Sequence, residues 1–275
     1  ADSKGLKVAL ATNGTLVTDD VAIRARESGI HRVSVSIDGK DAATHDSFRQ
    51  LDGAFDAALR GIEAFKRAGL PFQINTSVAN HNKDQLPAIL DLALGLGAAA
   101  FHLFLLVPVG CGLEISAEEQ ISPREYEDIL NWFYDASRTA GISLKATCAP
   151  HYYRILRQRA AKDGVRVTTQ THGMDAVTKG CLAGTGVCFV SHRGEVYPCG
   201  YLPVSAGNVR ETPFAEIWKD AEVFRVLRDD SLLEGKCGPC EFKGVCGGCR
   251  ARAYGETGNY LGEEPFCVYQ PKRAL

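Results

Sequence analysis

Eight of the chain's ten cysteines lie at or beyond Cys181, and four of them form the run Cys237-x2-Cys240-x5-Cys246-x2-Cys249. From Gly235 onward the sequence is rich in Gly and Cys and has almost no apolar periodicity. Such a stretch cannot bury enough surface to fold alone, so a metal site has to organise it. Disulfides are the other use of many cysteines, but they mostly staple small secreted domains. Here only Cys111 and Cys148 precede Cys181, so the expectation is a metal-bearing tail on a reduced, cytoplasmic protein. Thiolates a few residues apart grip one centre because the loop between them closes cheaply. Eight cysteines make two sets of four, which admits two zinc sites or two [4Fe–4S] clusters. A zinc ribbon wants CxxC pairs about 15–20 residues apart. Here five residues separate the pairs and no His lies inside the run, which favours iron and sulfide.

The first half has a different grammar. Val8–Thr12 is apolar and ends at Asn13-Gly14. Asp19–Glu27 predicts a short helix, Arg32–Ile37 a β-branched strand, and Gly53–Ala68 a helix with Phe55, Leu59, Ile62 and Phe65 on one face. Phe72–Val78 reads as a strand, Asp84–Leu96 as a helix, and Phe101–Val107 as a strand apolar nearly throughout. Ser122-Pro123-Arg124-Glu125 is a capping box opening another helix, and Ile142–Thr147 is a further strand. Strand then helix with short connections implies parallel strands. About four βα units plus a strand make a partial barrel or an open sheet. Val187–Ser191 and Glu195–Tyr197 predict a hairpin, and Pro213–Leu227 a single helix. Periodicity fades between Arg166 and Cys181. That places a domain boundary near 170: an α/β domain over 1–170 and a small cysteine-rich α+β domain over 171–275.

Composition excludes several classes. A net charge of −2 gives no global field for nucleic acid. With 45% hydrophobic and 23% charged residues the chain is ordinary globular material. Its longest apolar run, Ala98 to Val109, is too short to span a bilayer. One segment departs from the average: Lys145, Arg154, Arg157, Arg159, Lys162 and Arg166 face only Asp163 between positions 145 and 166. That excess is a candidate anion site, with a solvated basic helix as the bland alternative.

The cysteine spacing, with Gly194 preceding Cys199 and Cys267 closing the set, resembles the SPASM domain of radical S-adenosylmethionine (SAM) enzymes. The front half is similar to their partial (βα)6 barrel at A-T-N-G (11–14), S-I-D-G (36–39), H-D-S-F-R (45–49) and I-N-T-S-V (74–78). The stretches L-K-A-T-C-A-P-H-Y-Y-R-I (144–155) and C-G-G-C-R-A-R-A-Y (246–254) resemble the heme b synthases, radical SAM decarboxylases of the siroheme-dependent heme pathway. The family's C-x3-C-x2-C motif and its G-G-E motif do not occur in these residues, and Met174 is the single Met. The expectation is therefore a barrel lacking its first units, in a chain that is part of a longer enzyme.

The resemblance implies a division of labour. Cys181, Cys188, Cys199 and Cys249 would bind one auxiliary [4Fe–4S] cluster, and Cys237, Cys240, Cys246 and Cys267 the other. Cys188 also reads as a small buried hydrophobe. SAM would lie at the carboxyl ends of the strands, beside Thr12, Asn13, Ser36, Asp38, Arg60 and Asn75. Turn chemistry explains several of these equally well, and Arg49 and His45 read as structural. The substrate implied is iron-coproporphyrin III, two of whose propionates become vinyl groups to give heme b. Lys145, Arg154 and Arg157 would meet its carboxylates, Tyr152 would stack on the macrocycle, and His151 or Cys148 would ligate its iron. An electron-transfer protein is a further expected partner. The alternatives are a SPASM peptide maturase, a didecarboxysiroheme deacetylase, or a zinc-binding protein without catalysis.

Overall fold

The computed structural model describes residues 1–272. The chain divides into two compact units: residues 1–105 with 135–147, and residues 106–134 with the chain from 148 onward. This differs from a single division near 170. The segment after 147 carries a helix in which Arg154 pairs with Glu127, Tyr152 packs on Phe133 and His151 packs on Tyr126, all within the second unit.

In chain order the first unit holds β1 (Val8–Thr12), α1 (Asp19–Glu27), β2 (Ile30–Ser36), α2 (Ala42–Arg49), α3 (Ala54–Arg67), β3 (Phe72–Val78), α4 (Leu86–Leu96) and β4 (Ala100–Leu105). The chain continues through α5 (Cys111–Glu119) and α6 (Pro123–Ser137) to β5 (Ser143–Thr147), the fifth strand of the same sheet. All four pairings are parallel and the order is β1-β2-β3-β4-β5. Each strand lies beside its sequence neighbour, with no reversal of order, as in a barrel wall rather than a doubly wound sheet.

The two faces of this sheet differ. Val35, Ile74, Phe101 and Leu144 are register partners in turn and are all buried. Phe65 and Ile62 of α3 and Ile89 of α4 are fully buried as well. One residue further along each strand, Ser36, Asn75, His102 and Lys145 are likewise partners in turn. Because side chains alternate along a strand, that polar row occupies the opposite face. A Cβ on Gly61 would sit 2.3 Å from the Gly14 carbonyl oxygen. Only a glycine lets α3 lie so close on the loop that follows β1.

The second unit adds α7 (His151–Lys162), α8 (Thr169–His172), a three-stranded antiparallel sheet of β6 (Phe189–Val190), β7 (Glu195–Tyr197) and β8 (Gly207–Asn208), then α9 (Phe214–Asp220), α10 (Glu222–Leu227) and α11 (Arg250–Thr257). Val196, Leu202, Ile217, Val223, Phe224 and Ala251 form its apolar core. The helix expected over 213–227 is two helices, with Ala221 extended between them (φ −59°, ψ 131°). With the break in place, Ile217, Val223, Phe224 and Leu227 are all buried. The capping box at Ser122 forms as expected. Ser122 N–H donates to Glu125 Oε2 at 2.8 Å, and Glu125 N–H donates to Ser122 Oγ at 3.2 Å. No helix among the described residues is long and apolar enough to cross a membrane.

Candidate functional site

Two groups of polar side chains stand out, one in each unit. In the first, Gln73 Nε2 donates to Asn75 Oδ1 at 2.9 Å and lies 3.0 Å from His102 Nδ1. Burial, reinforced by Lys145 and Arg32, pushes the His102 pKa down to about 4. Its imidazole is therefore neutral at pH 7, accepting at Nδ1 and carrying the proton at Nε2. Ser36 is half-buried and Lys145 exposed in the same row. Ser36 ends β2, whereas Asn75, His102 and Lys145 lie within β3, β4 and β5; the row's groups suit hydroxyls and carboxylates. Sequence reasoning missed His102 because it lies within an apolar run.

The other residues expected there are placed differently. Thr12 is the register partner of Val35 and so lies on the helix-covered face. Its Oγ1 accepts the Gly14 N–H at 3.1 Å. Asn13 Oδ1 accepts from the Thr15 backbone N–H at 3.2 Å and hydroxyl at 3.1 Å, a closed local turn. Asp38 is fully buried and committed: its carboxylate pairs with Arg49 and accepts the Ser77 N–H at 2.7 Å. The Asp38 N–H donates to His45 Nδ1 at 3.0 Å, and its carbonyl accepts from Asn82 Nδ2 at 2.9 Å. Asp38 thus ties down the loop after β2. Arg60 is exposed on α3.

The second group is built around thiols. All nine cysteines whose side chains are described are free, so no disulfide staples them. Cys237, Cys240, Cys246 and Cys267 line one cavity, together with His151, Arg154, Lys236 and Glu264. Burial pushes the Cys267 thiol up to about 11 and raises Cys240 and Cys246 as well. The remaining thiols group separately. Burial pushes Cys249 up to about 12, with Cys181 close by. Cys199 and Cys148 are also raised by burial, and both sit close enough to Cys181 to feel it. Cys148 further feels Cys249 and Cys199, whereas Cys188 is raised by burial alone. Two left-handed glycines, Gly247 (φ +74°) and Gly248 (φ +62°), turn the chain between Cys246 and Cys249. A side chain at Gly248 would meet Arg250 Nη2 at 2.2 Å. That sharp turn lets cysteines three residues apart serve different groups.

A buried polar network supports both groups. Arg252 and Glu264 are 1% and 0% exposed and lie 3.2 Å apart. Arg252 also donates to the carbonyls of Leu106 at 3.1 Å and Cys148 at 3.0 Å, and the Tyr126 hydroxyl donates to the same Cys148 carbonyl at 2.9 Å. Glu264 Oε2 accepts the Cys249 N–H at 2.5 Å. Burial opposes ionisation of Glu264, but Arg252 and its neighbours hold its pKa below the usual value. Burial keeps Tyr126 protonated, its pKa well above normal. Cys148 itself has a left-handed backbone, φ 55°, which costs a non-glycine residue energy.

The basic segment is solvated only in part: Lys145, Lys162 and Arg166 are exposed, Arg154 and Arg157 are not. Arg154 of α7 is 2% exposed, and its fork grips Glu127 at 2.9 and 2.5 Å. Arg157 donates to the Ala176 carbonyl at 3.1 Å. Tyr152 is 1% exposed, edge-on to Phe133 at 5.6 Å, and offers no face to a macrocycle. His151 is 1% exposed, and neither ring nitrogen has a hydrogen-bond partner. Among the described residues no three Cys, His, Asp or Glu side chains converge on one metal ion. The thiols surround a cavity instead of a point, beside orphaned donors, and this donor set fits an inorganic cluster of iron and sulfide.

Comparison with known proteins agrees with this chemistry. Residues 181–249 match the SPASM iron–sulfur cluster-binding domain, and residues 1–93 match the radical SAM superfamily. The chain is 57% identical over 267 residues to a protein named AdoMet-dependent heme synthase from Methanosarcina barkeri, covering 97% of this chain and 76% of that one. It is 54% identical over 273 residues to a protein of the same name from Nitratidesulfovibrio vulgaris, covering 99% and 74%. The crystal structure of SuiB from Streptococcus suis superposes with a TM-score of 0.70 at 16% identity, covering 97% of this chain and 61% of that one, a likeness of fold. A zinc-binding protein without catalysis is thereby set aside for an enzyme using SAM and iron–sulfur chemistry. The chain belongs to the radical SAM enzymes that carry a SPASM domain.

Proposed function

We propose that this protein converts two propionate side chains of iron-coproporphyrin III to vinyl groups, giving heme b. The observation that carries the reading is the relatives named heme synthase, 57% and 54% identical across both units of the chain. SAM, when bound and reductively cleaved, supplies the group that takes a hydrogen atom from a propionate β-carbon, after which CO2 and one electron leave to form the vinyl group.

The chain's own residues hold and orient. Within the polar row, Ser36, which ends β2, and the polar groups of Asn75 and His102 on the same face support SAM binding on that face of the sheet; Asn13 and Arg60, by the family pattern, would join them. Lys145 is the exposed cation of that row and suits a carboxylate. Cys237, Cys240, Cys246 and Cys267 would hold one auxiliary cluster, because they share a cavity. Cys181, Cys199 and Cys249 would hold the second. Its fourth position has two claimants, Cys188 by family pattern and Cys148, both of which pack against the same core as Cys181, Cys199 and Cys249. An auxiliary cluster would take up the departing electron and pass it to an electron-transfer partner.

The test is anaerobic turnover of the full-length protein with iron-coproporphyrin III, SAM and a reductant. Loss of CO2 and two hydrogens per propionate, with heme b as product, is the expected result. SAM cleavage with the tetrapyrrole unchanged, but with a peptide or a siroheme derivative consumed, assigns the family chemistry to another substrate.

A further inference from the structure

The cavity bounded by Cys237, Cys240, Cys246 and Cys267 has a donor that the expected ligand set does not use. His151 lines it, 1% exposed, with both ring nitrogens lacking a hydrogen-bond partner. Orphaned polar atoms at that depth are costly, and native structures seldom keep them unless a group outside the polypeptide meets them. The ring is held in place: Tyr126 packs edge-on against it, with centroids 4.8 Å apart and planes at 77°. Other donors face the same wall. Arg154 Nε is buried and also without a partner. Arg250 Nη2 lies 3.8 Å from Cys237 Sγ, and the Glu264 N–H lies 3.4 Å from the same sulfur. A ring N–H needs an acceptor, and a cluster of thiolates and sulfides presents acceptors alone. Four cysteines already supply one thiolate for each iron of a cubane, so an imidazole there has no iron to bind.

We propose that His151 donates a ring N–H to a sulfur of the cluster held by Cys237, Cys240, Cys246 and Cys267, and thereby raises that cluster's reduction potential. Hydrogen bonds to sulfur stabilise the more negative, reduced state, so the sign follows from charge. This inference rests on the reading of that cavity as a cluster site.

The test is a redox titration followed by electron paramagnetic resonance on the anaerobic protein. Iron and sulfide content, measured first, reports on the cluster reading separately: a protein without iron there defeats that reading, not merely the role of His151. In loaded His151→Phe, one cluster's reduction equilibrium is expected to shift about tenfold toward the oxidised state, about 59 mV for one electron. The other cluster stays unmoved, and His151→Gln, which keeps an N–H, recovers most of the shift. An unshifted potential in the loaded His151→Phe protein overturns the proposal. Should that variant fail to load, unsubstituted protein carrying 15N-histidine decides by pulsed resonance. A weak histidine nitrogen coupling to the reduced cluster is expected, and either its absence or a strong, directly ligating coupling overturns the proposal.

Discussion

The sheet unit and the cysteine-rich unit are stabilised by different physics. In the first, Val35, Ile74, Phe101 and Leu144 form an unbroken buried row across four strands, with the apolar faces of α3 and α4 buried as well. Nothing in that packing requires a cofactor. In the second, an apolar core that includes Val196, Ile217, Val223 and Phe224 shares buried space with Arg252, Glu264, Arg154, His151 and two groups of thiols. Such groups cost free energy to bury unless each finds a partner, and several partners are absent from the polypeptide. The sheet unit therefore folds by burying surface, while the cysteine-bearing segments of the other depend on what they bind.

The largest test of that contrast is to withhold iron. A metal centre whose ligands are scattered in the unfolded chain contributes on the order of 10 kcal/mol to folding. Iron-free protein is expected to lose hydrogen-exchange protection at residues 230–267 while β2, β3 and β4 stay protected. Equal protection of both regions would erase the contrast.

The fourth ligand of the first cluster comes next. Alanine at the true ligand is expected to lower bound iron by up to about half, since one of two clusters loses a thiolate. Cys148→Ala and Cys188→Ala, compared by iron analysis, separate the two claimants.

A smaller effect probes the buried ion pair. Arg252→Met leaves Glu264 charged and unpaired, and is expected to cost about 3–5 kcal/mol in chemical denaturation. Replacing both, with Met at 252 and Gln at 264, is expected to cost less. If the single and double variants match, the pair carries no special penalty.

The smallest expected effect belongs to the sheet unit. His102 has its pKa held down to about 4 in the fold, against about 6.5 unfolded. The unfolded chain therefore binds a proton that the fold refuses. Stability is full above pH 6.5 and falls as pH drops toward 4, by at most about 3 kcal/mol. His102→Gln is expected to flatten that slope in denaturation midpoints measured between pH 7 and 4.

How much could be read from the sequence follows the same division. Phe55, Ile62 and Phe65 repeat at helical spacing, and all three are buried as that spacing requires. Helix α2 went unseen, although Asp41 caps it by accepting the Thr44 N–H at 3.0 Å, a local signal present in the sequence. The basic run from 145 to 166 suggested solvent or an anion, because Glu127, the partner of Arg154, lies 27 residues away. Arg252 meets Tyr126 across 126 residues, and no local pattern announces that contact. The spacing of the cysteines was legible, since short loops impose it. Which thiols share a cavity was not, because Gly247 and Gly248 redirect the chain between Cys246 and Cys249. The absence of apolar periodicity after Gly235 likewise concealed α11, whose buried face is largely Arg and Ala.

Iron and acid-labile sulfide, measured beside zinc in anaerobically purified protein and in its Cys237→Ala variant, test the central claim most directly. Two clusters on these cysteines require about eight iron and about eight sulfide from this part of the protein, with about half of each lost in the variant. Zinc in place of iron, or metal content indifferent to Cys237, would contradict the account.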